Sequence, residues 1–339
     1  MLADRIAIGT GIHALSVVST ENLLPASWAP LASRHQCYFF NPSIADLDGR
    51  IIMAYRVVLP DQLRRIAICE LDDAFQVIPM SAVPLSDHLE KAGNWHADPR
   101  FCRLNGQLLL HFNNGAKIPN EIFMVELDQK SLLPITPCRK VILDHPRQSV
   151  EKNWMFFENG GMLFTVYSIS PHRVHRVHLE SSGDIRCVAT YEVPWDVAAY
   201  ASKFGVPRGS TPPVRVGNAY YSFFHSQYSK SLGRRLLNNI KFGTAINGKS
   251  YSVGFYSFCM TDPFKPESVV QDQLFPLPLR PVVSRPRLSN SYDTCFYPSG
   301  AIFRDGEWTI SMGLHDDGCG LLRLDHQTLL NACHPASFL

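Results

Sequence analysis

Residues 41–57 read NPSIADLDGRIIMAYRV: a polar entry marked by proline, a short apolar run, the pair Asp48-Gly49, and a second apolar run that carries Arg56. Asp-Gly between two apolar runs is a strong hairpin signal, because a tight hairpin turn puts its central residues in the left-handed region that Asp and Gly tolerate. The same unit returns along the chain. Runs 107–112 (QLLLHF), 161–168 (GMLFTVYS), 219–225 (AYYSFFH) and 307–313 (EWTISMG) follow turns at Asn105-Gly106, Gly160-Gly161, Gly217-Asn218 and Asp305-Gly306. Upstream of each turn lies a counterpart of the NPSI entry. These are Asp98-Pro99-Arg100-Phe101, Glu151-Lys152-Asn153-Trp154, Gly209-Ser210-Thr211-Pro212-Pro213 and Tyr297-Pro298-Ser299-Gly300. Many short strands without interleaved helices imply a sandwich, a barrel or a propeller. The first four polar entries recur about every 55 residues and the fifth follows after a longer gap, and four-stranded units repeating on this scale read as propeller blades.

The expectation is an all-β protein, a single five-bladed β-propeller domain over residues 1–339. Its blade-opening motifs lie near 41, 98, 151, 209 and 297, and an insertion spans 226–249. The first strand of each blade lines the central channel, so the polar residues of the five openings should converge on one pocket. The basic insertion (Lys230, Arg234, Arg235, Lys241) reads first as a solvated loop. Residues 275–287, rich in Pro and Arg, read as an extended connection into the fifth blade.

Composition agrees with an ordered chain able to bury a large core: of 339 residues, 45% are hydrophobic and 18% charged. A net charge of +2 gives no reason to expect nucleic acid or an anionic membrane as partner. The nine scattered cysteines form no CxxC pair, which argues against a disulfide framework or a zinc site and for a reducing, cytoplasmic location. No transmembrane segment and no signal-peptide core is evident, since Asp4, Arg5 and His13 interrupt the first twenty residues.

Asp98 is the leading catalytic candidate, because it sits in a channel-lining opening directly before Pro99 and Arg100. Taken alone it reads equally well as an aspartate capping a turn before proline. Arg56, Arg100, Lys152 and Arg208 give a ring of cations at what read as equivalent blade positions, with His225 ending the strand after Arg208. Unpaired like charges are costly to bury, so such a ring calls for a phosphate, a diphosphate or acidic partners. Asp293 and Asp316 are candidates for those partners or for binding sugar hydroxyls. Trp95, Trp154, Tyr167, Tyr228 and Tyr292 are candidates to stack on sugar faces, with ordinary core packing the plainer reading of each. His172, His175 and His178 alternate faces on a strand, so no shared metal is expected. No GxSxG, P-loop, GxGxxG or HExxH motif is present.

At these segments the sequence resembles glycoside hydrolase family 130 and its relative, glycosyltransferase family 108. The matching stretches are 41–57, 97–101 (ADPRF), 151–171 (EKNWMFFENGGMLFTVYSISP), 208–214 (RGSTPPV) with His225, and 297–316 (YPSGAIFRDGEWTISMGLHD). The resemblance implies inverting chemistry on a β-mannoside-type sugar, by phosphorolysis or mannosyl transfer. Asp98 would be the catalytic acid, directly or through a sugar hydroxyl. Arg56, Arg100, Lys152, Arg208 and His225 would surround the phosphate or the sugar, with Asp316 contacting the sugar. Apart from the resemblance, Asn41, Asn153, Tyr228 and Asp293 are further candidates to bind phosphate or sugar. Two features depart from typical phosphorylases of this kind. Ala97 stands where they carry Glu, and the EKNW segment with Asn113-Asn114 is closer to the transferase-like branch.

The expected partners are an oligosaccharide or glycan acceptor with inorganic phosphate, a sugar 1-phosphate or a nucleotide sugar, and no cofactor or metal. Self-association into a homo-oligomer is left open. Two other readings stand beside this one. A plain inverting hydrolase needs a second carboxylate to activate water, for which Asp46, Glu151 and Asp293 are candidates. A non-catalytic sugar-binding propeller would have no use for Asp98 beside Arg100.

Overall fold

The computed structural model describes residues 4–8, 11–32, 37–89, 95–115, 120–143, 152–179, 183–229, 249–274 and 295–338. Its strands form four hydrogen-bonded sheets, one of eight strands that joins two antiparallel units through a parallel pairing of Ile185–Val193 with Arg139–Leu143; counted by unit, they are the five blades of a β-propeller. Blade 1 is built from Tyr38–Leu47, Arg50–Val58 and Arg64–Leu71. Blade 2 runs from Ala97–Leu104 through Gln107–Asn113 and Ile122–Leu127 to Arg139–Leu143. Blade 3 holds Met155–Asn159, Met162–Ser168, His172–Leu179 and Ile185–Val193. In blade 4, Arg208–Gly209 and Val214–Val216 both pair with Ala219–Ser229, followed by Lys249–Cys259 and Pro266–Val270. Blade 5 consists of Phe296–Arg304, Glu307–Leu314 and Gly318–Asp325.

The hairpin turns form where the sequence places them. At Asp48-Gly49, Asn105-Gly106, Gly160-Gly161 and Asp305-Gly306 both residues are left-handed, the geometry whose twist matches the flanking strands. The second strands are apolar on both faces because the blades pack face to face. In Arg50–Val58, Ile51, Met53, Tyr55 and Val57 face a cluster shared with Ile302, Cys319 and Leu321 of blade 5. The alternate residues Ile52 and Ala54 face Leu108 and Leu110 of blade 2. Strand period two thus splits one continuous apolar run between two interfaces. Blades 2 and 3 meet around Leu109, Met124, Trp154 and Phe156, and blades 3, 4 and 5 share Phe157, Phe223, Phe255 and Trp308.

The ring closes with the N-terminal segment. Gly11–Val17 pairs antiparallel with Gly318–Asp325, and Asp4–Ile8 adds a further strand outside it. The C-terminal Cys333–Pro335 in turn edges blade 4 through Pro266–Val270. Both ends of the chain are therefore tied into the ring.

The recurring polar segments do not simply open the inner strands. Three of them lie inside strands, at irregularities between Phe40 and Ser43, Ala97 and Arg100, and Pro298 and Gly300. Residues 226–229 and 249 of the expected insertion belong to the blade 4 hairpin, whose register runs unbroken from Ala219↔Cys259 to Ser229↔Lys249. The rest of that insertion and residues 275–287 lie outside the described residues, as do Glu151, Tyr292 and Asp293. No helix among the described residues is long and apolar enough to cross a membrane.

Leu15 is buried in the core shared by blades 3 to 5, paired in register with Leu322. Leu15→Ala is expected to lower unfolding free energy by about 2–5 kcal/mol, read by urea denaturation. A change well under that range would show that the N-terminal strand does not close the ring.

Candidate active site

The inner strands of blades 1, 2 and 5 pack against one another, and the blade 3 strand lies beside that of blade 2. Asn41 (φ 51°) and Asp98 (φ 53°) occupy the strand irregularities of blades 1 and 2 in the left-handed region, and Asn153 (φ 70°) does so just before blade 3. Asn and Asp tolerate this region better than other side-chain-bearing residues, and a bulge re-aims a side chain out of the pleat. The three side chains are buried. Asn41 Nδ2 donates to Asp98 Oδ1 at 2.7 Å, and Asn113 Nδ2 donates to the other carboxylate oxygen at 3.4 Å. Gly313 permits the first contact, since a Cβ there would lie 2.0 Å from Asn41 Oδ1.

Arg56 Nη1 lies 3.4 Å from Asp98 Oδ1, and its guanidinium sits over the Phe40 ring. Arg100 is 1% exposed and donates to Tyr297 Oη, to Asn153 Oδ1 at 3.5 Å and to the Trp154 carbonyl at 3.5 Å. Tyr297 passes the chain on, donating to Asn153 Oδ1 at 2.7 Å. A fully buried guanidinium is thus held by neutral oxygens. Among the described residues no carboxylate lies within ion-pair distance of Arg100, Lys152 or Arg208.

Burial alone would raise the Asp98 pKa, but the charges of Arg56, Lys152 and Arg100 and the Asn41 hydrogen bond outweigh it and hold the carboxyl at about 2. Asp316 behaves in the opposite way: burial, joined by repulsion from Asp98, raises its pKa against the pull of Arg56, Arg64 and Lys152. Burial, reinforced by Arg100, Arg208 and Lys152, pushes His225 well below its ordinary range, so the imidazole is neutral. Its ring stacks on Tyr251 at 5.4 Å and meets Tyr297 edge-on at 4.9 Å.

The cations that the sequence suggests converge electrostatically, although not from equivalent positions. Arg56 lies on the second strand of blade 1, opposite Phe40, whereas Arg208 starts the first strand of blade 4, opposite His225. Arg100 is buried while Lys152 and Arg208 are exposed. Tyr228 takes a different place from the one expected: strand alternation turns it to the face opposite His225, with its ring 5.9 Å from Phe204. Trp154 and Tyr167 pack against each other, 5.4 Å apart. Of the histidine run, His172 and His175 are buried and His178 is exposed. Among the described residues no group of three or more His, Cys, Asp or Glu side chains is placed to hold a metal ion.

Sequence reasoning misses Tyr297 as a partner of Arg100, Asn113 as a partner of Asp98, and Arg64. The Arg64 guanidinium sits over the Trp95 ring at 5.2 Å and is lowered to about 10, by burial first and then by Arg56. Tyr297 stands in a recurring segment and was open to detection; Arg64, at the edge of a third strand, carries no such signal.

No family model and no curated protein matches this sequence. Solved structures do. A putative glycoside hydrolase from Bacteroides ovatus aligns with TM-score 0.60 at 13% identity, covering 92% of this chain and 98% of that one. This chain shares that fold. Beta-1,2-mannobiose phosphorylase from Listeria innocua aligns with TM-score 0.56 at 11% identity, covering 94% of this chain and 98% of the other. A third structure is described in the words "the GH130 family of mannoside phosphorylases contains glycoside hydrolases that target beta-1,2 mannosidic linkages in Candida mannan". It aligns with TM-score 0.56 at 11% identity over 99% of both chains.

His315 and Asp316 are consecutive left-handed residues (φ 56° and 57°) in the turn between Glu307–Leu314 and Gly318–Asp325, where Asn-Gly would sit without strain. Asp316→Gly is expected to raise stability by about 1 kcal/mol in thermal or urea unfolding, as left-handed strain and a desolvated carboxyl are removed, while lowering ligand binding. A fall in stability would show that the carboxylate holds the turn.

Proposed function

We propose that the chain is an inverting glycosyl-transferring enzyme acting on a β-mannoside-type sugar. Its co-substrate is inorganic phosphate, a sugar 1-phosphate or a nucleotide sugar. The observation that carries this reading is the pairing of Asp98 with a group of cations in excess of their carboxylate partners. Arg100, Lys152 and Arg208 have no described counter-ion, and an attacking water would need none of them. A phosphate dianion does, and bidentate guanidinium contacts suit its geometry.

In synthesis, the acceptor hydroxyl attacks C1 of the sugar and its proton passes to Asp98, directly or through a sugar hydroxyl. The C1–O bond to phosphate breaks with its electron pair leaving on the phosphate, where Arg100, Lys152, Arg208 and His225 stabilise the charge. A carboxyl held at about 2 is ionised at neutral pH and ready as base. Its working form exists above that pKa, so Asp98 adds no acid limb to kcat/KM in synthesis across the ordinary carboxylate range. In phosphorolysis, Asp98 must instead deliver a proton. Phosphate bound among the cations offsets the charges that depress its pKa and leaves the desolvation that raises it.

The plain hydrolase reading has less support. Asp46 is engaged by Arg304 at 2.6 Å and by the Gly49 amide at 2.8 Å, which makes it less suited to activate water.

The test is to incubate the protein with β-1,2- and β-1,4-linked manno-oligosaccharides, with and without inorganic phosphate, and to follow mannose 1-phosphate. Phosphate-dependent mannose 1-phosphate is the expected product, and Asp98→Asn should lower turnover by about two or more orders of magnitude with sugar binding retained. Free mannose released regardless of phosphate would replace the proposal with hydrolysis. Full activity in Asp98→Asn would remove Asp98 from the mechanism.

A further inference from the structure

Ser210 is fully buried on the blade 4 inner segment, and its Oγ lies 2.6 Å from His225 Nδ1. Its backbone amide is directed to Met155 Sδ at 3.1 Å, and its hydroxyl reaches no other partner among the described residues. That decides the direction of the hydrogen bond. Were Nδ1–H to donate to Ser210, the serine proton would be buried with no acceptor, which costs about 1–3 kcal/mol. With Ser210 donating, both groups are satisfied and the ring proton must sit on Nε2. Nε2, on the opposite edge of the ring, bonds no described residue and is not among the buried atoms lacking a partner. The charged groups acting on the ring are Arg100, Arg208, Lys152 and Asp98. The Tyr251 and Tyr297 rings hold its plane.

We propose that Ser210 is a positioning residue that donates its hydroxyl proton to Nδ1, fixes His225 as the Nε2–H tautomer, and thereby makes His225 a hydrogen-bond donor to the anionic group of the co-substrate. The anion is met by one neutral N–H alongside the cations, and His225 neither gives up nor takes a proton during turnover. This rests on the proposed function for the identity of the anion, although the tautomer itself does not depend on it.

Two readouts on the full chain test the inference. Long-range 15N NMR of His225 in the ligand-free protein should show Nε2 protonated and Nδ1 bare, with a mixture of tautomers in Ser210→Ala. Calorimetric titration with inorganic phosphate should show affinity about tenfold weaker in Ser210→Ala and restored in Ser210→Thr, which keeps the hydroxyl. In a His225→Gln background, where the side-chain amide donates without help from residue 210, Ser210→Ala should add nothing further. Nδ1–H in the unmodified protein would overturn the inference, as would a Ser210→Ala protein with unchanged tautomer and phosphate affinity. If the unmodified protein binds no phosphate, the proposed co-substrate fails, and the NMR tautomer still decides the role of Ser210.

Discussion

The hydrogen bond from Asn41 to Asp98 ties blade 1 to blade 2 at the channel, and the geometry of the site depends on it. Both residues are left-handed within otherwise extended strands, a conformation that costs on the order of 1–3 kcal/mol each and survives only where the surroundings over-determine it. Those surroundings are Gly313 behind Asn41, Asn113 on the second oxygen of Asp98, and apolar blade interfaces that leave the inner strands no room to slip. The site is thus made of irregularities held in place by regular blades.

Electrostatics sets two interacting carboxylates apart. Asp98 is held ionised by neighbouring cations, whereas burial and Asp98 itself push Asp316 up. Carboxyl groups driven apart in pKa within one pocket are a recurrent mark of acid–base sites. Arg100 adds a buried cation whose partners among the described residues are the neutral oxygens of Tyr297, Asn153 and a backbone carbonyl.

Much of the fold was legible because hairpin turns write their chemistry locally. The left-handed pairs at Asp48-Gly49 and Asn105-Gly106 fall where Asp-Gly and Asn-Gly stand in the sequence. The ring closure was not, because Leu15 and Leu322 pair from opposite ends of the chain and nothing near Leu15 records its partner. Bulges were half visible: Asn41-Pro42 and Asp98-Pro99 signalled an interruption, but read as the start of a strand rather than a kink inside one. Tyr228, expected among the binding residues, lies on the face opposite His225 because a strand running unbroken through Ser229 puts residues three apart on opposite faces. Arg64 and Asn113 reach the site through tertiary packing that no local pattern encodes.

In the proposed mechanism the cations hold Asp98 ionised in the free protein, and a bound phosphate releases it. The most direct measurement is the pKa of the Asp98 carboxyl, followed by 13C NMR with and without saturating inorganic phosphate. The expected result is a value held near 2 in the free protein that moves upward when phosphate binds. An ordinary carboxylate pKa in the free protein, or a depressed one that phosphate leaves in place, would contradict it.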